Sequence, residues 1–232
     1  MIPSTIGGYY KVIVTEIKPL DEIEGYLKEE EGIFILSCDG CAEVCKAGGE
    51  AEAIKMENWI KSIGKKSVGL LVVDFLCNRL LVQTRLSRHW EEIEKCDSFL
   101  VMSCGIGVQA VSKVVRKIVH PACNTISLEG IQGLWPSEER CMECGDCHLD
   151  FTGGICPISN CSKGLLNGPC GGAIEGKCEV DRRRDCGWIK IYERLLRIGK
   201  LDKMRGIRKS SDFSKMVASP ELRADQKFDI EK

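Results

Sequence analysis

The 232-residue chain has no run of apolar residues approaching the roughly 18 that a membrane-spanning helix needs, so no bilayer-crossing segment is expected. Its opening stretch, MIPSTIGGYY, lacks the charged start and the following apolar run of a secretory leader. That predicts neither export nor a membrane anchor, and places the chain in the cytoplasm. An excess of charge of one sign is missing as well: 33 Lys and Arg stand against 34 Asp and Glu, for a formal charge of -1. No global attraction to nucleic acid or to an acidic membrane surface follows. A helix-turn-helix pattern and a basic recognition helix are both lacking, which weighs against a DNA-binding sensor.

What the chain does have is cysteine. There are 15, and eight of them fall between Cys141 and Cys186. An odd number in a reducing compartment argues for metal ligands over a closed disulfide framework. The dense stretch opens Cys141-Met-Glu-Cys144-Gly-Asp-Cys147 and continues through Cys156-Pro157, Cys161, Cys170, Cys178 and Cys186. Two CxxC steps sharing a middle cysteine let consecutive thiolates wrap one metal-sulfide cube. The Cys-Pro resembles the fourth member of a bacterial ferredoxin run, although it lies nine residues after the third cysteine. These eight are read as ligands of two four-iron cubes, with one cube plus a zinc as the alternative, because zinc also accepts four cysteines. Their pairing is left open, since the fourth ligand of a ferredoxin run often serves the neighbouring cluster.

Periodicity predicts an α/β fold with a doubly wound, flavodoxin- or Rossmann-like parallel sheet. Apolar runs at Ile33–Ser37, Val68–Asp74, Ser98–Ser103 and, more weakly, Asn124–Leu128 read as buried strands. Between them, Glu50–Ile63 and Val108–Val119 read as amphipathic helices, with another around Ser87–Lys95. Before them, Tyr10–Ile17 reads as an added strand, and Pro19 starts a charged helix running to about Glu30. Beyond Trp135-Pro136-Ser137 the composition turns to Gly, Pro and Cys. The expected organisation is an α/β domain over residues 1–136, a loop-rich cysteine-dense iron-sulfur domain over 137–200 and a polar tail over 201–232. The middle segment cannot order itself by burying apolar side chains, so metal-ligand bonds are expected to supply its folding energy. Trp188–Ile198 reads as an amphipathic helix.

A second constellation lies in the first domain. Cys38-Asp-Gly-Cys41-Ala-Glu-Val-Cys45 follows the first strong strand at its carboxyl end, where open α/β sheets place ligands. Three local thiols plus one from a neighbouring strand would complete a four-cysteine site. Cys104 is favoured over Cys77 as the fourth, because Cys104-Gly-Ile-Gly107 turns sharply and lets backbone approach a cluster closely. The same turn could alternatively cradle a phosphate at a helix N-terminus. The spacing of two and then three residues is the reverse of that expected for a radical-forming adenosylmethionine enzyme. Cys96 and Cys123 stand beside apolar segments as core thiols. His148 could ligate zinc or hydrogen-bond a sulfide, or else is a solvated or packing histidine, and Arg182, Arg183 and Arg184 could offset cluster charge or meet an acidic partner, or else form a solvated face. Three oxidised cubes, at about -2 each, would take the formal charge from -1 to about -7.

The runs Cys141-Met-Glu-Cys-Gly-Asp-Cys, Thr152-Gly-Gly-Ile-Cys-Pro, Asn167-Gly-Pro-Cys-Gly-Gly and Asp185-Cys-Gly-Trp-Ile resemble a specific family, as do Ser37-Cys-Asp-Gly-Cys and Ser103-Cys-Gly-Ile-Gly. It is the MetV-type small iron-sulfur subunit of methylenetetrahydrofolate reductase from anaerobic microbes, also described as the reductase's C-terminal domain family. The resemblance implies a subunit that does not bind folate. Its partner would be a flavin-containing TIM barrel that reduces methylenetetrahydrofolate to methyltetrahydrofolate. This chain would then carry electrons between an external donor module and that flavin through three 4Fe-4S clusters. It is too short to hold an eight-fold barrel beside its cysteine domain. The competing readings are a structural adaptor that docks the flavoprotein to a larger redox complex, and an iron-sulfur redox sensor.

Overall fold

The computed structural model describes residues 13–128, 132, 133, 135 and 137–216. In chain order the elements are β1 (Val14–Ile17), α1 (Leu20–Tyr26), β2 (Gly32–Cys38), α2 (Cys41–Val44), α3 (Gly49–Ser62), β3 (Lys66–Val73), α4 (Arg79–Leu86), α5 (Trp90–Lys95), β4 (Ser98–Met102), α6 (Gly105–Val114), β5 (Ile118–Pro121), β6 (Cys123–Ser127), α7 (Pro157–Asn160) and α8 (Gly187–Arg197). Short 3-10 turns cover Ser87–His89, Leu201–Arg205 and Phe213–Met216. Among the described residues no helix is long and apolar enough to cross a membrane.

Four parallel strands form the central sheet in the order β3-β2-β4-β5. Strands β2 and β4 are buried along their whole length, which is why they read as unbroken apolar runs. Alternate residues feed two cores. Phe34, Leu36, Phe99 and Val101 pack against Val82 and Leu86 of α4 and Val108 and Val111 of α6. Ile33, Ile35, Leu100 and Met102 pack on the other face against α1 and α3, through Ile23, Ala53, Met56 and Ile60. The sheet is therefore covered on both faces, as expected.

The structure corrects the elements near the sheet's far edge. The helix expected over Val108–Val119 runs from Gly105 to Val114, and Ile118–Pro121 is a fourth parallel strand. Val115 has already turned extended (φ -102°, ψ 154°) and ends the helix. The strand expected near Asn124–Leu128 forms at Cys123–Ser127, but it pairs antiparallel with β1 in a separate two-stranded sheet. Helix α4 was not anticipated; the Asn78 side chain caps it by accepting from the Leu81 N–H at 3.1 Å. Residues 10–12 of the expected first strand and residues 217–232 of the expected tail lie outside the described residues.

Two polar assemblies hold the later part of the chain onto the sheet. Arg194 of α8 is buried and donates from Nε to the Gly153 carbonyl (3.0 Å), from Nη1 to Val115 (3.0 Å) and from Nη2 to Lys117 (3.1 Å). Val115 and Lys117 frame the break between α6 and β5, so one guanidinium satisfies carbonyls that the ending helix leaves without partners. The second assembly centres on His120 in β5, which is fully buried. Its Nδ1 lies 2.5 Å from Asp150 Oδ1 and its Nε2 lies 3.7 Å from Glu30 Oε1. Lys203 donates to Asp150 (3.2 Å) and Lys200 to Glu30 (3.3 Å), tying the segment after α8 to the sheet.

Candidate metal centres

The first strand of the sheet, β2, has β3 on one side and β4 on the other, so the chain reverses its winding direction between β2 and β4. A crevice opens beyond the carboxyl ends of two such strands. Cys38 is the last residue of β2, and Cys104, two residues after β4, occupies the N-cap position of α6. Cys41 begins α2, and Cys77 lies in the loop that follows β3. These four cysteines line one pocket, with Ile13 and Phe75 among its other walls. Close approach of two loops builds it: a Cβ on Gly40 would stand 2.7 Å from the Asp74 carbonyl and 2.8 Å from the Phe75 ring. The Cys38 thiol faces the Asp74 carbonyl at 3.7 Å. Burial pushes the Cys104 thiol up to about 12, and it also raises Cys41, with the charges of Cys38 and Cys77 adding to the effect. Packed together and poorly hydrated, such thiols hold their protons until a metal displaces them.

Cys45 does not line this pocket. It ends α2, its thiol donates to the Ile13 carbonyl at 2.9 Å, and it packs against the core under α3. Of the four cysteines expected at this site, the structure brings Cys38, Cys41 and Cys104 together and sets Cys45 apart, while Cys77 joins them.

Cys141, Cys144, Cys147 and Cys156 form a second neighbourhood, docked on β6 of the two-stranded sheet and on the loop at Gln132. The Cys141 N–H donates to Gln132 Oε1 (2.8 Å), and Gln132 Nε2 returns a bond to the Cys141 carbonyl (3.1 Å). The Cys147 N–H donates to Asn124 Oδ1 (3.0 Å) of β6, and the Gly145 N–H to the Thr125 carbonyl (2.9 Å). Cys156 caps α7, with Pro157 in the first helical position. Burial dominates the titration of Cys141, Cys144 and Cys147. It raises Cys141 strongly, helped by the charges of Cys147 and Cys156, and it pushes Cys147 up to about 12 against the pull of Lys18. Lys18 itself is fully buried and pairs with Glu22 at 2.6 Å. This neighbourhood adjoins the first pocket, because Cys141 packs in one small core with Cys104, Cys41 and Cys77, and a Cβ on Gly105, next to Cys104, would stand 3.2 Å from Cys141 Sγ.

Cys161, Cys170, Cys178 and Cys186 line a further pocket with Lys163 and Trp188. Cys161 ends α7 and Cys186 caps α8, so single helix ends carry two of the four. The Trp188 indole donates to the Leu165 carbonyl at 2.9 Å. Cys170 is exposed; its thiol lies 3.3 Å from Glu179 Oε1, and Glu179 pairs with Lys163. The Cys178 thiol is lowered, first by its hydrogen bond with Ser162 and then by the backbone N–H groups of Val180 and Asp181. Arg183 pairs with Asp181 at 3.1 Å and Arg182 reaches the Gly172 carbonyl at 3.4 Å, so two of the three arginines brace this loop.

Among the described residues, no three His, Cys, Asp or Glu side chains converge on a point where one metal ion would touch them all. The thiols surround spaces instead. Cys96 and Cys123 are buried away from both pockets, as expected of core thiols, with their thiols on the carbonyls of Ile93 and Ala47. His148 bonds Ser211 Oγ at 2.8 Å. Buried Lys18 beside Cys147 carries no sequence signal, since it is one lysine at a strand end.

Residues 120–214 match a protein family described as "Methylene-tetrahydrofolate reductase C terminal", a span that contains all eight cysteines of the second and third groups. No curated protein and no solved structure matches the chain.

Proposed function

We propose that this chain, whose residues 120–214 match the methylene-tetrahydrofolate reductase C-terminal family, is the iron-sulfur electron-transfer subunit of such a reductase. In this reading it passes electrons between an external donor and the flavin of a TIM-barrel partner. The supporting observation is the sorting of cysteines: four line the pocket at the sheet, four line the pocket beside α8, and four more lie between. Groups of four thiols suit a 4Fe-4S cube, which takes one thiolate on each iron. A lone tetrahedral zinc would instead need its sulfurs within about 3.8 Å of one another, from a Zn–S bond of about 2.3 Å. When bound, such clusters supply one-electron carriage; the pairing of electrons for hydride transfer belongs to a flavin.

The chain's own residues prepare these places for thiolates. Lys18 sets a buried positive charge beside Cys147, and Lys163 sets one at the rim of the third pocket. The Glu143 N–H points at Cys141 Sγ (3.4 Å), and the Val180 and Asp181 N–H groups favour the thiolate of Cys178. Apolar walls keep water from the buried groups: Ile13, Ile106 and Leu128 form one small core with Cys104, Cys41, Cys77 and Cys141. Dithionite reduction of the anaerobically isolated complex, followed by spin-resonance spectroscopy, tests the electron-carrying role. Signals from reduced clusters that decay as the partner's flavin is reduced support it. Clusters that never reduce would point to a scaffold instead.

A further inference from the structure

We infer that Cys77, and not Cys45, completes the first-domain metal site, so that its ligands are Cys38, Cys41, Cys77 and Cys104. This deepens the iron-sulfur reading and rests on it. The assignment comes from how the fold positions each thiol. The four named cysteines line one pocket at the winding reversal between β2 and β4, one from the end of β2, one from the start of α2, one from the loop after β3 and one from the start of α6. Ligands spread over three strand ends hold a cluster from several sides, and each is fixed by an element whose own position the sheet sets.

Cys45 is not among the residues that line that pocket; its thiol is held against the carbonyl of Ile13, one of the pocket's walls. Lys46 takes a left-handed conformation (φ 55°), its N–H returns to the Glu43 carbonyl (2.8 Å), and the Ala47 N–H returns to the Ala42 carbonyl (2.9 Å). This closes α2 and turns the chain toward α3. The apolar neighbours of Cys45 belong to the core that packs against α1 and α3. Cys77 instead packs in the small core with Cys104, Cys41 and Cys141. The sequence suggests Cys45 only because it is near Cys41 along the chain. Its place in space is decided by the turn at Lys46.

The test is a metal count on the full chain, isolated without oxygen, as wild type, Cys77→Ser and Cys45→Ser. The expected result is a loss of about four irons and about four sulfides per chain in Cys77→Ser only, with Cys45→Ser retaining the wild-type content. Iron lost in Cys45→Ser and kept in Cys77→Ser would overturn the assignment. Should Cys77→Ser fail to fold, thiol alkylation of the native wild-type chain read by mass spectrometry decides instead. Chelation of the iron should then expose Cys77 to reagent while leaving the reactivity of Cys45 unchanged, and the reverse pattern overturns the inference. A wild-type chain that holds no iron would defeat the iron-sulfur reading itself, which is a separate outcome from an exchange of the two cysteines.

Discussion

The pocket at the sheet and the pocket beside α8 each gather four cysteines, but they do so with different materials. At the sheet, Cys38 and Cys104 sit at the ends of fully buried strands, and hydrophobic cores on both faces set their positions before any ligand arrives. Beside α8, Cys170 and Cys178 ride on a loop ordered by isolated bridges such as Ile174–Lys177 and Lys177–Asp185, with exposed Ile174 and Val180 nearby. One core of apolar residues lies under it, around Trp188, Ile191 and Leu195 of α8. A site made from strand ends is paid for by burial in the sheet, whereas a site made from loops must draw much of its order from the bonds its ligands form.

The largest effect that would break this contrast is metal removal. Chelation under anaerobic conditions should speed proteolysis of residues 161–186 by at least about 100-fold while the sheet keeps its protection, read by limited digestion or hydrogen exchange. Equal loosening of both regions would show that the sheet pocket also depends on its ligand for order. Next in size is Arg194→Met. Three carbonyls, two of them in buried bonds, would lose their donor, and the expected cost is about 3 kcal/mol, seen as a lowered denaturation midpoint of the whole chain. A change below about 0.5 kcal/mol would mean that α8 is not anchored through this guanidinium.

A smaller effect concerns pH. Burial alone would lower the His120 pKa, but its hydrogen bond to Asp150 and the charge of Glu30 outweigh burial and raise it. A raised histidine pKa stabilises the fold below the unfolded value of about 6.5, and that contribution is lost as pH rises through the folded value. The partners titrate with the opposite sign. Burial would raise Asp150 and Glu30, yet the pairing with His120 lowers both, so their contribution is lost as pH falls below about 4. Denaturation midpoints should therefore fall on the alkaline side in wild type and lose that dependence in His120→Gln. The smallest effect is expected from Gly105→Ala, where the first two cysteine groups adjoin. The added methyl would press on Cys141 Sγ at 3.2 Å and cost about 1 kcal/mol. In the iron-sulfur reading, a spectral shift confined to the metal held by Cys141, Cys144, Cys147 and Cys156 would locate that contact directly.

Much of the sheet was legible because β2 and β4 are buried on both faces, and burial of that kind writes itself as a run of apolar residues. Strand β5 was hidden. Its four residues, Ile-Val-His-Pro, include a buried histidine whose partners come from Glu30 and Asp150, far away in sequence. Helix α4 had a readable cap in Asn78, but its apolar residues are interrupted by Gln83, Thr84 and Arg85. For the cysteines, spacing found the crowded segments and the strand-end positions of Cys38, Cys41 and Cys104. It could not separate Cys45 from Cys77, because a left-handed turn at Lys46 and the packing of the loop after β3 decide which thiol reaches the pocket. Nor did any pattern mark Lys18, whose buried charge acts on Cys147.

The account stands on thiolates of this chain binding inorganic iron and sulfide, and counting both in the anaerobically isolated full chain tests it most directly. About 12 irons and about 12 sulfides per chain are predicted, four of each for every group of four cysteines. A folded chain that contains zinc alone, or no metal, and still supports full turnover of the assembled reductase would contradict it.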